Sequence, residues 1–421
     1  MSAQRITATY RIETAYPVME AVETMAGEQS TGTFIRLPGE TDAMREAYGA
    51  HVERVTELEE VAAPSLPGAG LPRGTAGKPV WRRAEVVLSW SLDNFGPSLP
   101  NLVATVAGNL FELRPFSGLR LIDMTLPEAF AAAYPGPRFG VAGTRRLAGV
   151  EGRPLIGTIV KPSVGLGPEE TAAVARTLCE AGIDFIKDDE LQADGPHCPF
   201  EQRARAVMRV VNDSAERTGK KAMYAFNITG DLEEMRRRHD LVLELGGTCV
   251  MASLNSVGLT GMIELGRFSQ LPIHAHRNGW GYLSREPSLG WSYVAWQKIW
   301  RLAGADHMHV NGLQNKFCEE DDSVIASARA CLTPMFESKP CTVMPVFSSG
   351  QSAKQAPGTY AALGSADLIF AAGGGIMGHP DGPAAGFASL RESWEAALAG
   401  IPLEEYARDH PALAKAIRAY A

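Results

Sequence analysis

This is an α/β protein on its sequence: a C-terminal (β/α)8 TIM barrel behind an N-terminal α+β domain of ferredoxin-like type. From about residue 150, eight short apolar runs recur, at 155–160, 185–186, 222–226, 248–251, 273–275, 307–310, 342–346 and 368–371. Longer segments with helical apolar spacing lie between them, among them 169–180, 232–244, 291–302 and 323–332. Eight strand–helix units over roughly 250 residues are the rhythm of a closed parallel barrel. The rival is an open doubly wound sheet, and no glycine fingerprint follows the first run to support it.

The domains are expected at 1–135 and 136–421. In the first, 7–11, 53–61, 84–90 and 119–124 read as strands, and 17–25 and 99–108 as helices. Strands interleaved with two helices predict an α+β layer. The Pro- and Gly-rich stretch 64–77 reads as a loop.

Composition sets the outer limits. Of 421 residues, 45% are hydrophobic and 21% charged, as in globular proteins. The net charge of -8 argues against a nucleic-acid surface. No apolar run approaches the ~18 residues of a membrane span, and the first residues lack an apolar signal core. Six scattered cysteines point to free thiols and a cytoplasmic location.

Active-site residues of such a barrel sit in the loops after its strands, where the polar residues of this chain collect. Lys161 follows the first run, and Lys187-Asp188-Asp189-Glu190 ends the second. Concentrated carboxylates there are either ligands for a hard divalent cation or a helix start with acids at its positive end. Lys161 is a general base of lowered pKa or a salt-bridged lysine. His274-Ala275-His276 and His307-Met308-His309 each set two imidazoles on one strand face, for zinc, a proton relay or core hydrogen bonds. Oxygen-rich donors favour magnesium over zinc. Ser348-Ser349-Gly350 and Gly373-Gly374-Gly375 follow the seventh and eighth runs, a common phosphate position. Arg277 and His309 offer a second anion site, and Lys316 lies in a loop with the composition of a lid. For Arg277 and Lys316 the ordinary alternatives are a structural ion pair and a solvated lysine.

Together these residues resemble the large-subunit family of ribulose-bisphosphate carboxylase, in its RuBisCO-like branch. The likeness runs through Glu28-Gln29-Ser30-Thr31-Gly32-Thr33-Phe34, Gly108-Asn109, Gly157-Thr158-Ile159-Val160-Lys161-Pro162 and Phe185-Ile186-Lys187-Asp188-Asp189-Glu190. It continues through both histidine pairs to Gly373-Gly374-Gly375-Ile376-Met377-Gly378-His379-Pro380. The resemblance implies a CO2-derived carbamate on Lys187 that joins Asp189 and Glu190 in holding Mg2+. It implies Lys161 as the proton-transfer residue, with Lys187, His276 and Lys316 also catalytic. Thr33, Gly350, Gly373 and Gly374 are implied to hold a phosphate, and Arg277, His309 and Ser348 a second anion. Asn109 matches an asparagine that reaches the metal site. The family also implies a homodimer, or an oligomer of dimers, in which Glu28, Thr33 and Asn109 complete the partner's barrel site.

Departures bear on the reaction. The carboxylase has a second lysine where this chain has Ser163, a histidine where it has Trp280, and a tryptophan where it has Phe34. The lid sequence and Ser348-Ser349-Gly350 also differ. The expected activity is therefore Mg-dependent enolate chemistry on a phosphorylated keto compound rather than CO2 fixation. Decarboxylation of a 3-oxo sugar-acid phosphate, of the 3-oxo-isoapionate 4-phosphate kind, is the leading expectation. The alternatives are a 2,3-diketo-5-methylthiopentyl-1-phosphate enolase, a 5-methylthioribulose-1-phosphate isomerase, and a binding protein without turnover.

Overall fold

The computed structural model describes residues 4–32 and 37–420. Thr33 and Phe34 lie outside them. The chain forms two compact units.

The first unit comprises Met1–Tyr134 with two later segments, Gly279–Ile299 and Met335–Lys339. Its leading strands are β1 (Arg5–Thr14), β2 (His51–Val61), β3 (Trp81–Ser91) and β4 (Phe116–Thr125). They pair antiparallel in the order β4-β1-β3-β2, with helices Val18–Glu28 and Asp42–Tyr48 after β1 and Leu99–Val106 after β3. This is the split β-α-β topology expected of a ferredoxin-like domain. Alternation places Ile6, Ala8, Tyr10 and Ile12 of β1 inward, each at most 1% exposed. The Tyr10 hydroxyl donates to Val106 O at 2.6 Å and so anchors a helix to the sheet. β2 lies at the sheet edge and carries Glu53, Glu57, Glu59 and Glu60, charges that discourage further strand pairing. The loop after β2 is pinned by Leu66 N–H on Ser117 O and Gly70 N–H on Arg114 O.

The remaining strands are β5 (Leu155–Ile159), β6 (Phe185–Lys187), β7 (Met223–Asn227), β8 (Cys249–Ser253), β9 (Ile273–His276), β10 (Leu289–Trp291), β11 (His307–His309), β12 (Met344–Phe347) and β13 (Ile369–Ala371). β10 pairs parallel with β4 and extends the first sheet. This is why 279–299 groups with the first unit, and a sequence division near residue 135 does not include it. The helix expected over 291–302 starts later, at Tyr293, because Trp291 is still strand.

The other eight strands close into a parallel barrel, the second unit, and coincide with the eight apolar runs. Leu155, Phe185, Met223, Met251, Met344, Val346 and Ile369 pack inside it, with Ala148 and Val150 at the foot. β5 needs glycine at 157, where an added Cβ would fall 2.8 Å from Phe185 Cβ and its carbonyl oxygen. Asp306 organises the foot. Its carboxylate accepts from Phe139 N (2.7 Å), Gly140 N (2.8 Å) and Ile273 N (2.9 Å), tying helix Gly140–Ala148 to β9. Burial pushes this carboxyl up to about 6 against those three donors.

Candidate active site at the barrel mouth

The charged residues at the ends of β5 and β6 meet. Lys161 Nζ donates to Asp189 Oδ2 and to Ser163 Oγ, both at 2.7 Å. Ser163 also donates to Asp189 Oδ2 at 2.9 Å, so the serine in place of a second lysine steadies this pair. Lys187 is 1% exposed. Its Nζ donates to Asp188 O at 2.8 Å and lies 3.4 Å from Glu190 Oε2. Burial holds its pKa down, opposed by Glu190 and Asp189, and so favours the neutral amine. On the other side of Glu190 Oε2, at 3.4 Å, stands His276 Nε2. Burial lowers His276 to about 4. Its Nδ1 accepts from Asn278 N, leaving the proton on Nε2, towards Glu190.

Asp188 is different. Its carboxylate is buried with Arg203 Nη2 (3.3 Å), the Tyr224 hydroxyl (2.6 Å) and Asn227 N (2.9 Å) as donors. Of the three consecutive acids, the first is structural and the next two reach the mouth.

A second cluster caps β9, β11 and β12. Arg277 Nη2 bonds Glu319 Oε2 at 2.6 Å, and Asn311 Nδ2 donates to the same oxygen at 2.5 Å. His309 Nδ1 faces Ser348 Oγ at 3.0 Å, and His309 Nε2 faces His274 Nε2 at 2.7 Å. His274 Nδ1 is 3.4 Å from His307 Nδ1, and His307 Nε2 is 2.9 Å from Thr144 Oγ1. Asn311, Gln314 and Ser349 take left-handed backbone angles (φ 67°, 50° and 71°), a concentration of strained residues typical of functional loops.

Other candidates are placed separately. Lys316 is exposed, its ammonium 5.3 Å from the Phe317 ring centre. Its backbone N–H bonds Ser349 O, beside Gly350. Gly373 faces Lys161: an added Cβ there would lie 3.9 Å from Lys161 Cε. Gly374 has open space, and its carbonyl accepts from the Tyr420 hydroxyl at 3.2 Å. In the first unit, Asn109 Nδ2 donates to Glu28 Oε1 at 3.2 Å. Glu319, Thr144 and the structural role of Asp188 escaped the sequence reading. Glu319 followed a loop already noted as unlike the carboxylase lid, which was the available signal.

Residues 140–420 match the ribulose bisphosphate carboxylase large chain catalytic domain, and residues 1–130 its N-terminal domain. The chain belongs to this large-chain family. Within the family it is 60% identical over 415 residues to a "3-oxo-isoapionate-4-phosphate transcarboxylase/hydrolase" of Xanthobacter autotrophicus, covering 99% of each chain. It is 46% identical over 414 residues to a "3-oxo-isoapionate-4-phosphate decarboxylase" of Rhizobium rhizogenes, covering 98% of this chain and 97% of that one. A rubisco-like protein from Burkholderia fungorum shares the fold with a TM-score of 0.92 at 49% identity, covering 98% and 99%. These likenesses set the chain among RuBisCO-like members of the family.

Proposed function

We propose that this chain acts on 3-oxo-isoapionate-4-phosphate and opens its reaction by breaking the bond to the substrate carboxylate. The observation that carries this is the constellation of Lys161, Lys187, Asp189, Glu190 and His276 at the barrel mouth, in a chain 60% identical to an enzyme named for that substrate.

The donors suit a hard cation. Asp189 and Glu190 supply two carboxylates, and among the described residues no three His, Cys, Asp or Glu side chains gather as ligands. A carbamate on Lys187 would supply a third oxygen donor, and burial moves this lysine's pKa down, towards the uncharged amine that adds CO2. Mg2+ held by these three groups would polarise the substrate carbonyl.

The residues then divide the work. Loss of the carboxylate leaves its bonding electron pair on the substrate as an enolate, and no redox partner is required. Lys161 Nζ is poised to give a proton to the resulting carbon, with Ser163 and Asp189 orienting it. His276, neutral and aimed at Glu190, holds that carboxylate in place. The N–H groups of Gly350, Gly373 and Gly374 receive the phosphate, and Lys316 closes over it. In this reading the protein is a dimer whose Glu28, Thr33 and Asn109 serve the partner's site, as the family implies.

Two fates of the carboxylate follow. Release as CO2 is decarboxylation, the activity for which the 46%-identical relative is named. Transfer followed by hydrolysis is the second reading, favoured by the 60%-identical relative. Substrate labelled with 13C in its carboxylate separates them. Decarboxylation sends the label to CO2, whereas transfer keeps it in a non-volatile product. Substrate left intact in the presence of Mg2+ and bicarbonate would refute both.

A further inference from the structure

The subsite formed by Arg277, His309 and Ser348 was expected to hold a second anion, but the geometry gives it no net positive charge. Arg277 is paired with Glu319 at 2.6 Å, the guanidinium side chain 7% and the carboxylate side chain 15% exposed. Glu319 is held from several directions. Oε2 also accepts from Asn311, Oε1 accepts from Ser323 Oγ at 3.0 Å, and the Glu319 carbonyl accepts from Asn315 Nδ2 at 3.0 Å. A carboxylate so fixed is part of the site rather than a passing surface contact.

The imidazoles beside it are neutral, and their protons are assigned by one fixed acceptor. Thr144 Oγ1 lies 2.5 Å from Gly140 O, which can only accept, so the hydroxyl proton points there. Thr144 therefore accepts from His307 Nε2, leaving His307 Nδ1 bare. His274 must then donate from Nδ1 and accept at Nε2, and His309 must donate from Nε2. His309 Nδ1 is left to accept the Ser348 hydroxyl proton. Burial lowers all three rings, His307 to about 3, in keeping with neutral imidazoles. Ser348, its proton spent on His309, thus has only lone pairs left to offer a ligand, and His309 spends its own proton inward.

We propose that Glu319 is a specificity-determining residue: it cancels the charge of Arg277, so that this subsite receives an uncharged, hydroxyl-bearing end of a substrate whose single phosphate lies elsewhere. A hydroxyl donates to Ser348 Oγ, where a second phosphate would meet lone pairs and the Glu319 carboxylate. The inference deepens the proposed function and rests on it for a sugar-phosphate ligand.

Calorimetric binding of ribulose 5-phosphate and ribulose 1,5-bisphosphate to the full-length protein tests it. The two probes differ by one phosphate at the second end. The wild-type protein gains nothing from that phosphate. Glu319→Gln keeps an acceptor for Asn311 while freeing the guanidinium charge, and shifts the affinity ratio towards the bisphosphate by about tenfold, ~1.4 kcal/mol. Adding Arg277→Met to that variant abolishes the gain. A wild-type preference of about tenfold for the bisphosphate, or a ratio unmoved by Glu319→Gln, overturns the proposal. Binding is read without turnover, so failure of the carboxylate-loss reading would appear separately, in the 13C experiment.

Discussion

Thr144 Oγ1 and His307 Nε2 lie 2.9 Å apart at the foot of the barrel, and this contact orients protons as far as Ser348 at its mouth. Neutron diffraction should find hydrogen on His309 Nε2, His274 Nδ1 and His307 Nε2. Thr144→Val keeps the shape but removes the acceptor, leaving a buried N–H unpaired. A stability loss of about 1–3 kcal/mol in urea denaturation is expected, whereas Thr144→Ser should be nearly neutral. Hydrogen found on His274 Nε2 in the wild-type protein would contradict the assignment.

Lys161 and Lys187 both approach acidic partners, yet their replacements should differ in kind. Lys187→Ala removes the amine that adds CO2, so CO2-dependent Mg2+ affinity and turnover should vanish together. Lys161→Met takes a cation away from Asp189 Oδ2, 2.7 Å distant, and should bind Mg2+ at least as tightly as the wild type. Its turnover should fall by at least about 100-fold, the typical worth of a positioned proton donor. Full turnover in either variant would move the chemistry elsewhere.

The barrel was legible because its strands are short, apolar and regularly spaced, and because Lys161, Lys187 and His276 fall at their ends. What escaped reading depends on contacts far apart in sequence. β10 joins the first sheet across more than a hundred residues, and three residues carry no periodic signal of that. Arg277 and Glu319 meet across loops 42 positions apart, and a lone arginine after a strand looks the same whether an anion or a carboxylate faces it. The acids at 188 to 190 look alike in sequence. Only the fold shows that Asp188 turns to Arg203 and Tyr224 while its two successors face the mouth.

That division predicts opposite phenotypes for neighbouring residues. Arg203 and Asp188 form an ion pair in which both side chains are 0% exposed. Removing one partner from such a pair leaves the other charge buried without compensation. Arg203→Met should destabilise the protein by about 3–5 kcal/mol. Asp189→Asn, a change at the mouth, should leave the denaturation midpoint nearly unchanged and abolish Mg2+ binding. Equal stability losses at Arg203 and Asp189 would show that the two carboxylates are not divided in this way.

Stability should fall in mild acid because the buried imidazoles are held neutral. His307 is lowered to about 3 from an ordinary 6.5, and His274 and His309 lie well below that value, chiefly through burial. Above pH 6.5 folded and unfolded chains both carry neutral rings, and this contribution is complete. As pH falls through 6.5 the unfolded chain takes up protons that the folded core refuses. Each ring then removes about 1.4 kcal/mol per pH unit. Asp306 acts the other way, since its carboxyl is raised from 3.8 to about 6 and keeps a proton in the folded state that the unfolded chain has lost. It offsets one imidazole between pH 6 and 3.8, and the others prevail. Urea midpoints should therefore decline between about pH 6.5 and 5, before most carboxylates titrate. His307→Gln should flatten that slope by about one proton. A wild-type midpoint that is level or rising as pH falls through this range would show that the rings are charged in the folded protein.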